Sequence, residues 1–221
     1  ETRSPQGQAR SRQTRLQAAV DAAPEGLQWI IRARGKGVYS FDLVPFQTRI
    51  VPSPHLVLTK VPDATPEIIR HSALNDEQAL LALVRYNRLI DIFLGVAAYS
   101  LQNHLRTSVT GMGQVEVDEI YAAVDRFGQQ FVIPVQAKGG NDQLGITQTE
   151  QDVAVCEEKW PDMECRPVSA QFFNDGRIAL FELGIQNDEV KVLRETHYEP
   201  VSAPDITAED LELYRRAARD E

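Results

Sequence analysis

The chain has 221 residues, of which 43% are hydrophobic and 25% charged, a composition that predicts an ordinary soluble globular protein. No apolar run reaches the roughly 18 residues that a membrane-spanning helix needs, so we expect no transmembrane segment. The formal net charge of −9 excludes a uniformly basic nucleic-acid-binding protein, but residues 1–71 carry a net charge of +4 and the other residues −13.

The N-terminal third of the chain divides into two predicted parts. Residues 1–23 are rich in Gln, Arg, Ala and Ser, and we expect a flexible arm or a short helix there. Because the sequence begins at Glu1 without a Met or a signal segment, we expect a fragment of a longer protein or a processed form. Residues 24–71 predict a small basic β-rich module, in which two strands flank a glycine turn at 35–37.

A larger core is expected over residues 72–200, followed by a C-terminal helix within 201–221. A long buried helix should begin at Glu77 and run to about Arg106, because apolar residues cover most of its circumference. Strands are expected at 115–124, 130–138, 165–173, 178–183 and 190–193, with a second helix at 147–159. The predicted order is therefore helix, two strands, helix, three strands.

The first two of these strands form a hairpin that carries most of the polar chemistry of the sequence. A three-residue loop with Gly128 in the left-handed conformation fixes the predicted register. In this register Asp118 lies opposite Gln136. Two residues farther from the turn, Glu116 lies opposite Lys138. Because side chains alternate along a strand, all four polar groups should share one face, and the other face is apolar.

Glu119 is the exception on that apolar face. An unpaired carboxylate buried there would be strongly destabilising. We therefore expect a β-bulge near Asp118 and Glu119 that turns Glu119 into the polar cluster. Pro134 on the facing strand also favours an irregularity, because it cannot donate a hydrogen bond to the ladder.

An Asp on one strand that faces a Gln-x-Lys triplet on the next resembles the PD-(D/E)XK nuclease superfamily. The triplet Gln136-Ala137-Lys138 is similar to the variant of Mrr-type restriction endonucleases. The resemblance covers about residues 75–195 and implies an α/β fold, in which residues 72–200 are a restriction-endonuclease-like core with a mixed central sheet flanked by helices. The sequence departs from the family pattern in two ways: a neutral Gln136 replaces the usual second carboxylate, and extra strands follow the minimal core.

The resemblance implies a metal-dependent DNA endonuclease that hydrolyses phosphodiester bonds in bacterial restriction or another defence role. Mg²⁺ or Mn²⁺ would be the cofactor, with the Asp118 carboxylate, the Gln136 amide oxygen and the Ala137 carbonyl as its ligands. The cation would neutralise the scissile phosphate and activate a water, and Lys138 would orient the attacking hydroxide.

Further carboxylates are candidates for the negative charge that Gln136 lacks. Glu116 or Glu119 on the same strand could supply it. Some members of the family bring a helix carboxylate to the metal, and here Glu77 and Asp91 remain alternatives for that role.

DNA is the expected partner, and no membrane partner is expected. A basic cluster in the β-rich module, the glycines after the triplet and polar residues on the following helix are predicted to contact it. These residues are Arg32, Arg34, Lys36, Gly139, Gly140, Gln148 and Gln151. Two cuts in a duplex would favour a homodimer, and a larger defence-system complex is the other expected assembly.

Other chemistries are not indicated. The four histidines lack metal-ligand spacing, so no zinc site is expected. Cys156 and Cys165 predict small buried hydrophobic side chains, and so few cysteines favour a reducing compartment, the cytoplasm. Two alternatives stay open: a catalytically inactive nuclease-fold module for DNA binding or assembly, and an α+β interaction domain with a different fold.

Overall fold

The structure is a computed structural model that describes residues 24–35, 38–45, 49–72, 77–140, 142, 144–187 and 189–220. The helices in these ranges are α1 (Glu67–Ser72), α2 (Glu77–Tyr86), α3 (Leu89–Leu94), α4 (Ile146–Lys159) and α5 (Ala208–Asp220), with a 3-10 helix at Ala203–Asp205. The strands are β1 (Leu27–Gly35), β2 (Val38–Pro45), β3 (Arg49–Ile50), β4 (Leu58–Pro62), β5 (Ala97–Val109), β6 (Gly113–Val124), β7 (Gln130–Gly139), β8 (Leu144–Gly145), β9 (Glu164–Cys165), β10 (Val168–Phe172), β11 (Ile178–Gln186) and β12 (Glu189–Val201).

A mixed eight-stranded sheet forms the centre of the molecule, in the order β4-β12-β11-β10-β7-β6-β5, with β9 beside β7. Strands β5, β6 and β7 are antiparallel neighbours. The chain then crosses over through α4, so that β10 lies parallel to β7. Strands β11 and β12 continue antiparallel, and β4 pairs in parallel with β12 at the far edge.

Helices cover both faces of this sheet. Leu81 and Val84 of α2, together with apolar residues of α3, pack against one face, which includes Val135. Val155 of α4 packs against the other face, which includes Val132. Burial on both faces explains why β7 is apolar along most of its length. The α/β class with a mixed central sheet flanked by helices is therefore confirmed.

Pro134 lies in the middle of β7 without disturbing the sheet. Residues 131–132 of β7 pair with β9, and residues 135–139 pair with β10. Pro134 falls in the gap between these two parallel partners, where its missing N–H removes no ladder hydrogen bond. The β6–β7 ladder is regular at Pro134, so the irregularity expected there is not formed.

The predicted helix from Glu77 to about Arg106 is wrong beyond residue 94. Arg88 (φ 51°) and Gly95 (φ 66°) adopt the left-handed conformation, which interrupts the helix and then ends it. Residues 97–109 form β5, because pairing with β6 stabilises an extended conformation there. The apolar run is thus divided between two short helices and an edge strand.

The N-terminal part contains the predicted hairpin, β1–β2, and also contributes to the central sheet through β4. The hairpin contacts the core closely, since a Cβ atom at Gly113 (φ 87°) would lie 3.0 Å from the carbonyl carbon of Gly35. The positive φ angle and the short distance to Gly35 both favour glycine at position 113. The predicted arm at residues 1–23 lies outside the described residues.

The predicted left-handed conformation of Gly128 is confirmed, with a φ angle of 85°, and Gly176 in the loop between β10 and β11 has a φ angle of 91°. Both glycines end hairpin loops in the left-handed conformation that other residues rarely adopt. None of the described helices is long and apolar enough to cross a membrane.

Candidate functional site

The β6–β7 hairpin has the predicted register, with residues 119–124 paired to residues 130–135. The described pairing of the two strands ends at Glu119, before the polar positions are reached. The strands separate there, and the helix α4 packs across one face of the opening. We define the strand fork as the four residues at this opening: Asp118, Gln136, Ala137 and Lys138.

Asp118 occupies the point where the two strands separate. Its Oδ2 accepts a hydrogen bond of 3.0 Å from the backbone N–H of Ala137. This N–H would otherwise need a partner from β6, because a buried backbone donor must be satisfied. The contact places the Asp118 carboxylate against the peptide that joins Gln136 to Ala137.

The Gln136 side chain is 2% exposed and points toward α4. Its Nε2 donates to Oγ1 of Thr149 at 3.0 Å, while its Oε1 has no hydrogen-bond partner among the described residues. Ser169 of β10 lies beside Gln136 in the sheet, and its buried Oγ is also without a partner in the described part of the chain. Two buried oxygen atoms at one place thus lack the donor or cation that such atoms require.

Lys138 follows at the carboxyl end of β7 and is half-buried. Its carbonyl accepts a hydrogen bond of 3.3 Å from Nε2 of Gln171 on β10. The chain then continues through Gly139 and Gly140, which line a cleft of about 510 Å³ with Leu80, Phe172, Phe173 and Asn174. Lys138 thus directly precedes two residues that line this cleft.

Helix α4 adds polar groups to the strand fork. Gln148 donates from Nε2 to the backbone carbonyl of Glu116 at 2.8 Å and to Oδ1 of Asp152 at 3.3 Å. Asp152 is 1% exposed, and its burial raises its pKa well above the ordinary range. The nearby charge of Asp118 raises this pKa further, and the hydrogen bond from Gln148 opposes the rise. Gln151, the other predicted polar residue of the helix, is half-buried.

The sequence pattern did not point to Thr149 or Asp152. A signal was present, because Thr149, Asp152, Val155 and Cys156 are the buried residues of α4 and recur at helical spacing. The buried face of the helix is therefore apolar toward its C-terminal end and polar where it meets the strand fork.

Asp152→Asn should stabilise the protein at neutral pH in the presence of chelator. Because the pKa of Asp152 is higher in the folded than in the unfolded protein, folding takes up a proton above about pH 4. The free energy of unfolding therefore falls as the pH rises toward the folded-state pKa of Asp152. Asn is neutral at all pH values and removes that loss. Thermal melts between pH 4 and pH 8 measure the difference in stability between Asp152→Asn and the wild type, and each 1 kcal/mol recovered raises Tm by about 2 to 4 °C. The exposed Glu157→Gln on the same helix is the matched control, and an unchanged Tm of Asp152→Asn at pH 7 contradicts the prediction.

Glu116 lies at the β5 side of the strand fork. Its carboxylate accepts from Nε of Arg106 at 3.1 Å and lies 3.2 Å from Nδ1 of His104. The Arg106 guanidinium holds the pKa of Glu116 below its usual value. These contacts direct Glu116 toward the edge strand, where it is only partly buried.

Glu119 lies on the opposite face of the sheet, against α2. It is fully buried and accepts hydrogen bonds from Nε of Arg85 at 2.8 Å and from Oγ of Ser100 at 2.6 Å. The expected bulge that would turn Glu119 into the polar cluster is not formed, because the pairing of residues 119–124 is regular. Arg85 supplies the countercharge instead, and no local sequence pattern could identify that partner.

Of the two candidate helix carboxylates, Asp91 and Glu77, the structure describes the side-chain contacts of Asp91. Asp91 pairs with Arg88 and accepts the backbone N–H of Ala98 at 3.0 Å, so it stabilises the turn that ends α3. Glu77 begins α2, and its side chain lies outside what the structure describes. The structure thus gives Asp91 a local role.

The basic residues of the β1–β2 hairpin face carboxylates. Arg32 contacts Asp42 at 2.7 Å and Glu150 of α4 at 2.6 Å, and Arg34 contacts Asp42 at 3.3 Å. These carboxylates raise the pKa of Arg32. An arginine already paired with two carboxylates is a weak phosphate ligand, so DNA contact by this cluster stays a prediction. Lys36 lies outside the described residues.

The strand fork offers oxygen atoms as possible metal ligands, but it does not contain a dense cluster of acidic side chains. Over the described ranges, no group of three or more His, Cys, Asp or Glu side chains could hold a metal ion. The Asp118 carboxylate and the unpartnered Gln136 Oε1 are nevertheless the hard oxygen ligands that Mg²⁺ and Mn²⁺ prefer. The residues present therefore fit a hard divalent cation in their chemistry.

Known proteins give no independent indication of what the strand fork does. No family model, curated protein or solved structure that was compared with the chain matches it.

Proposed function

We propose that the protein is a metal-dependent DNA endonuclease that hydrolyses phosphodiester bonds. One observation carries this proposal: the Asp118 carboxylate lies against the Gln136–Ala137 peptide, directly before Lys138, where two strands separate. A carboxylate, an unpartnered amide oxygen and an ammonium group are thereby concentrated at one end of a buried hairpin. Metal-dependent hydrolysis of a phosphodiester uses a cation site and a positive charge near the attacking oxygen.

The order of the elements supports the same proposal. Helices α2 and α3, the antiparallel strands β5, β6 and β7, the crossover helix α4 and the parallel strand β10 follow one another around the strand fork. The resemblance to PD-(D/E)XK nucleases implies helix, hairpin, helix and strand in this order. A restriction-endonuclease-like core at residues 72–200 is consistent with this arrangement, in which Thr149 of α4 contacts Gln136 of the triplet.

Each residue of the strand fork has a distinct role in this proposal. Asp118 and Gln136 hold the cation through side-chain oxygens, and the Ala137 carbonyl is a third candidate ligand. When bound, Mg²⁺ or Mn²⁺ supplies positive charge to the phosphate and lowers the pKa of a coordinated water. Lys138 orients the attacking oxygen and stabilises its negative charge, an effect that is stronger in a partly buried site than in bulk water.

The cleft beside Lys138 is the proposed path of the DNA backbone. Gly140 has φ 57°, and Gly139 lacks the side chain that would meet Leu80 at 3.1 Å. Gly140 leaves the protein backbone open to close approach by a phosphate, whereas at Gly139 the Leu80 side chain occupies the space beside the missing Cβ. A restriction or defence role in the bacterial cytoplasm, as a homodimer or in a larger complex, is the biological setting we propose for this activity.

Incubation of the full chain with supercoiled DNA tests the proposal. We expect nicked or linear product with Mg²⁺ or Mn²⁺, none with chelator, and none with Asp118→Ala at any metal concentration. Asp162→Ala removes an exposed carboxylate outside the strand fork and serves as the control. DNA left intact by the wild-type chain, over a range of metal concentrations and substrates, contradicts the proposal.

A catalytically inactive module for DNA binding or assembly is the second candidate. The neutral Gln136 favours it, because a single acidic ligand from the hairpin attracts a divalent cation less strongly than two. Calorimetric titration with Mn²⁺ separates the two candidates. The nuclease binds the cation and loses binding in Asp118→Ala, whereas the inactive module binds DNA without binding the cation.

A further inference from the structure

We propose that Asp152 of α4 is the second carboxylate of the cation site, in the place of the acidic side chain that β7 lacks at Gln136. This inference rests on the proposed function and assigns a further ligand to the same site. The missing charge is thus supplied by the helix that covers the strand fork and not by a neighbouring position on β6.

Contacts on both sides hold Asp152 at the strand fork. Gln148 joins the Asp152 carboxylate at 3.3 Å to the backbone of β6 at Glu116, two residues before Asp118. One turn before Asp152, Thr149 accepts a hydrogen bond from Gln136 at 3.0 Å. Helix α4 is therefore connected to both strands of the fork, and Asp152 is on the face that makes these connections.

Unpartnered oxygen atoms at the same place point to a ligand. Gln136 is 98% buried, and its Oε1 has no donor among the residues that the structure describes. Ser169 Oγ, beside it in the sheet, has no partner in those residues either. A buried amide oxygen and a buried hydroxyl that both lack partners are satisfied by a cation or by an ordered water.

The burial of Asp152 distinguishes between these two occupants. A carboxylate that is only 1% exposed, with one amide as its partner, is unfavourable in its charged form. A proton or a divalent cation adjacent to Asp118 would relieve this charge, and a water would not; the Mn²⁺ titration below distinguishes a protonated Asp152 from a cation ligand. If the role of Asp152 were only to accept the Gln148 hydrogen bond, Asn would serve equally well.

Calorimetric titration of the full chain with Mn²⁺ tests this inference. We expect Asp152→Asn to bind Mn²⁺ at least about tenfold more weakly than the wild type. The control Glu157→Gln, which removes an exposed carboxylate from the same helix, should bind as the wild type does. In thermal melts, Mn²⁺ should raise the Tm of Asp152→Asn less than that of the wild type, because a weaker ligand stabilises the folded state less.

A charge exchange between helix and strand provides a second readout. In the double variant Gln136→Glu/Asp152→Asn the second carboxylate moves from α4 to β7, and the affinity for Mn²⁺ should recover toward the wild-type value. Asp152→Ser is measured alongside, so that a failure of one variant to fold does not remove the test. Circular dichroism in chelator verifies folding before each titration.

The outcomes separate this inference from the proposed function. If the wild type binds Mn²⁺, Asp118→Ala does not, and Asp152→Asn binds as the wild type does, the role of Asp152 is overturned and the nuclease proposal stands. If the wild type does not bind Mn²⁺ at all, the nuclease proposal fails and the role of Asp152 fails with it. Loss of binding in Asp152→Asn with recovery in the double variant supports the assignment.

Discussion

Lys138→Ala should abolish DNA cleavage while leaving DNA binding almost unchanged. The ammonium group stabilises charge that develops on the attacking oxygen, and loss of such a group costs about 10²- to 10³-fold in rate. One phosphate contact among several contributes little to affinity, so the log–log salt dependence of binding should change by about 0.9 at most. Single-turnover cleavage and fluorescence anisotropy with labelled duplex measure the two quantities separately.

Lys159→Ala is the matched control, because it removes an exposed positive charge from the end of α4 without touching the strand fork. Both variants make the net charge of the protein more negative by one. A cleavage rate in Lys138→Ala equal to that in Lys159→Ala would exclude Lys138 from the mechanism.

Arg85→Ala should destabilise the fold by about 3 kcal/mol. It leaves the Glu119 carboxylate buried without a countercharge, and removing one partner of a buried ion pair costs about 3 to 5 kcal/mol. The lower end of this range applies, because the Arg85 side chain is 34% exposed and water partly screens the pair. Urea unfolding in chelator measures the change in the free energy of unfolding.

The double variant Arg85→Ala/Glu119→Gln should recover much of this loss, since a neutral amide no longer needs the guanidinium. Arg216→Ala is the control for loss of an arginine from an exposed ion pair, and its effect should stay below about 1 kcal/mol. Equal destabilisation by Arg85→Ala and Arg216→Ala would contradict the prediction.

Local patterns in the sequence were sufficient for the hairpin. Gly128 determines the conformation of the loop, and the loop determines which residues of β6 and β7 face each other. The α/β class follows from the order of helices and strands for the same reason, because each element has its own periodicity. Asp118 and the Gln136-Ala137-Lys138 triplet could therefore be placed near one another without a structure.

Contacts between distant residues could not be predicted in this way. The pairing of Glu119 with Arg85 joins β6 to α2, and only the packing of the helix on the sheet makes it possible. The same holds for Asp152, which meets the strand fork only after the crossover through α4. The single long helix was wrong because apolar content does not reveal where Gly95 reverses the chain and an edge strand begins.

The buried pair of Glu119 and Arg85 also restricts the torsional freedom of β6. Asp118 and Glu119 are adjacent, and adjacent side chains of a strand project to opposite faces. Because Arg85 and Ser100 bind Glu119 on one face, any rotation of β6 that redirected Asp118 on the other face would also break these two contacts. The direction of the Asp118 side chain, the proposed cation ligand, is thus supported by an ion pair on the opposite face of the sheet.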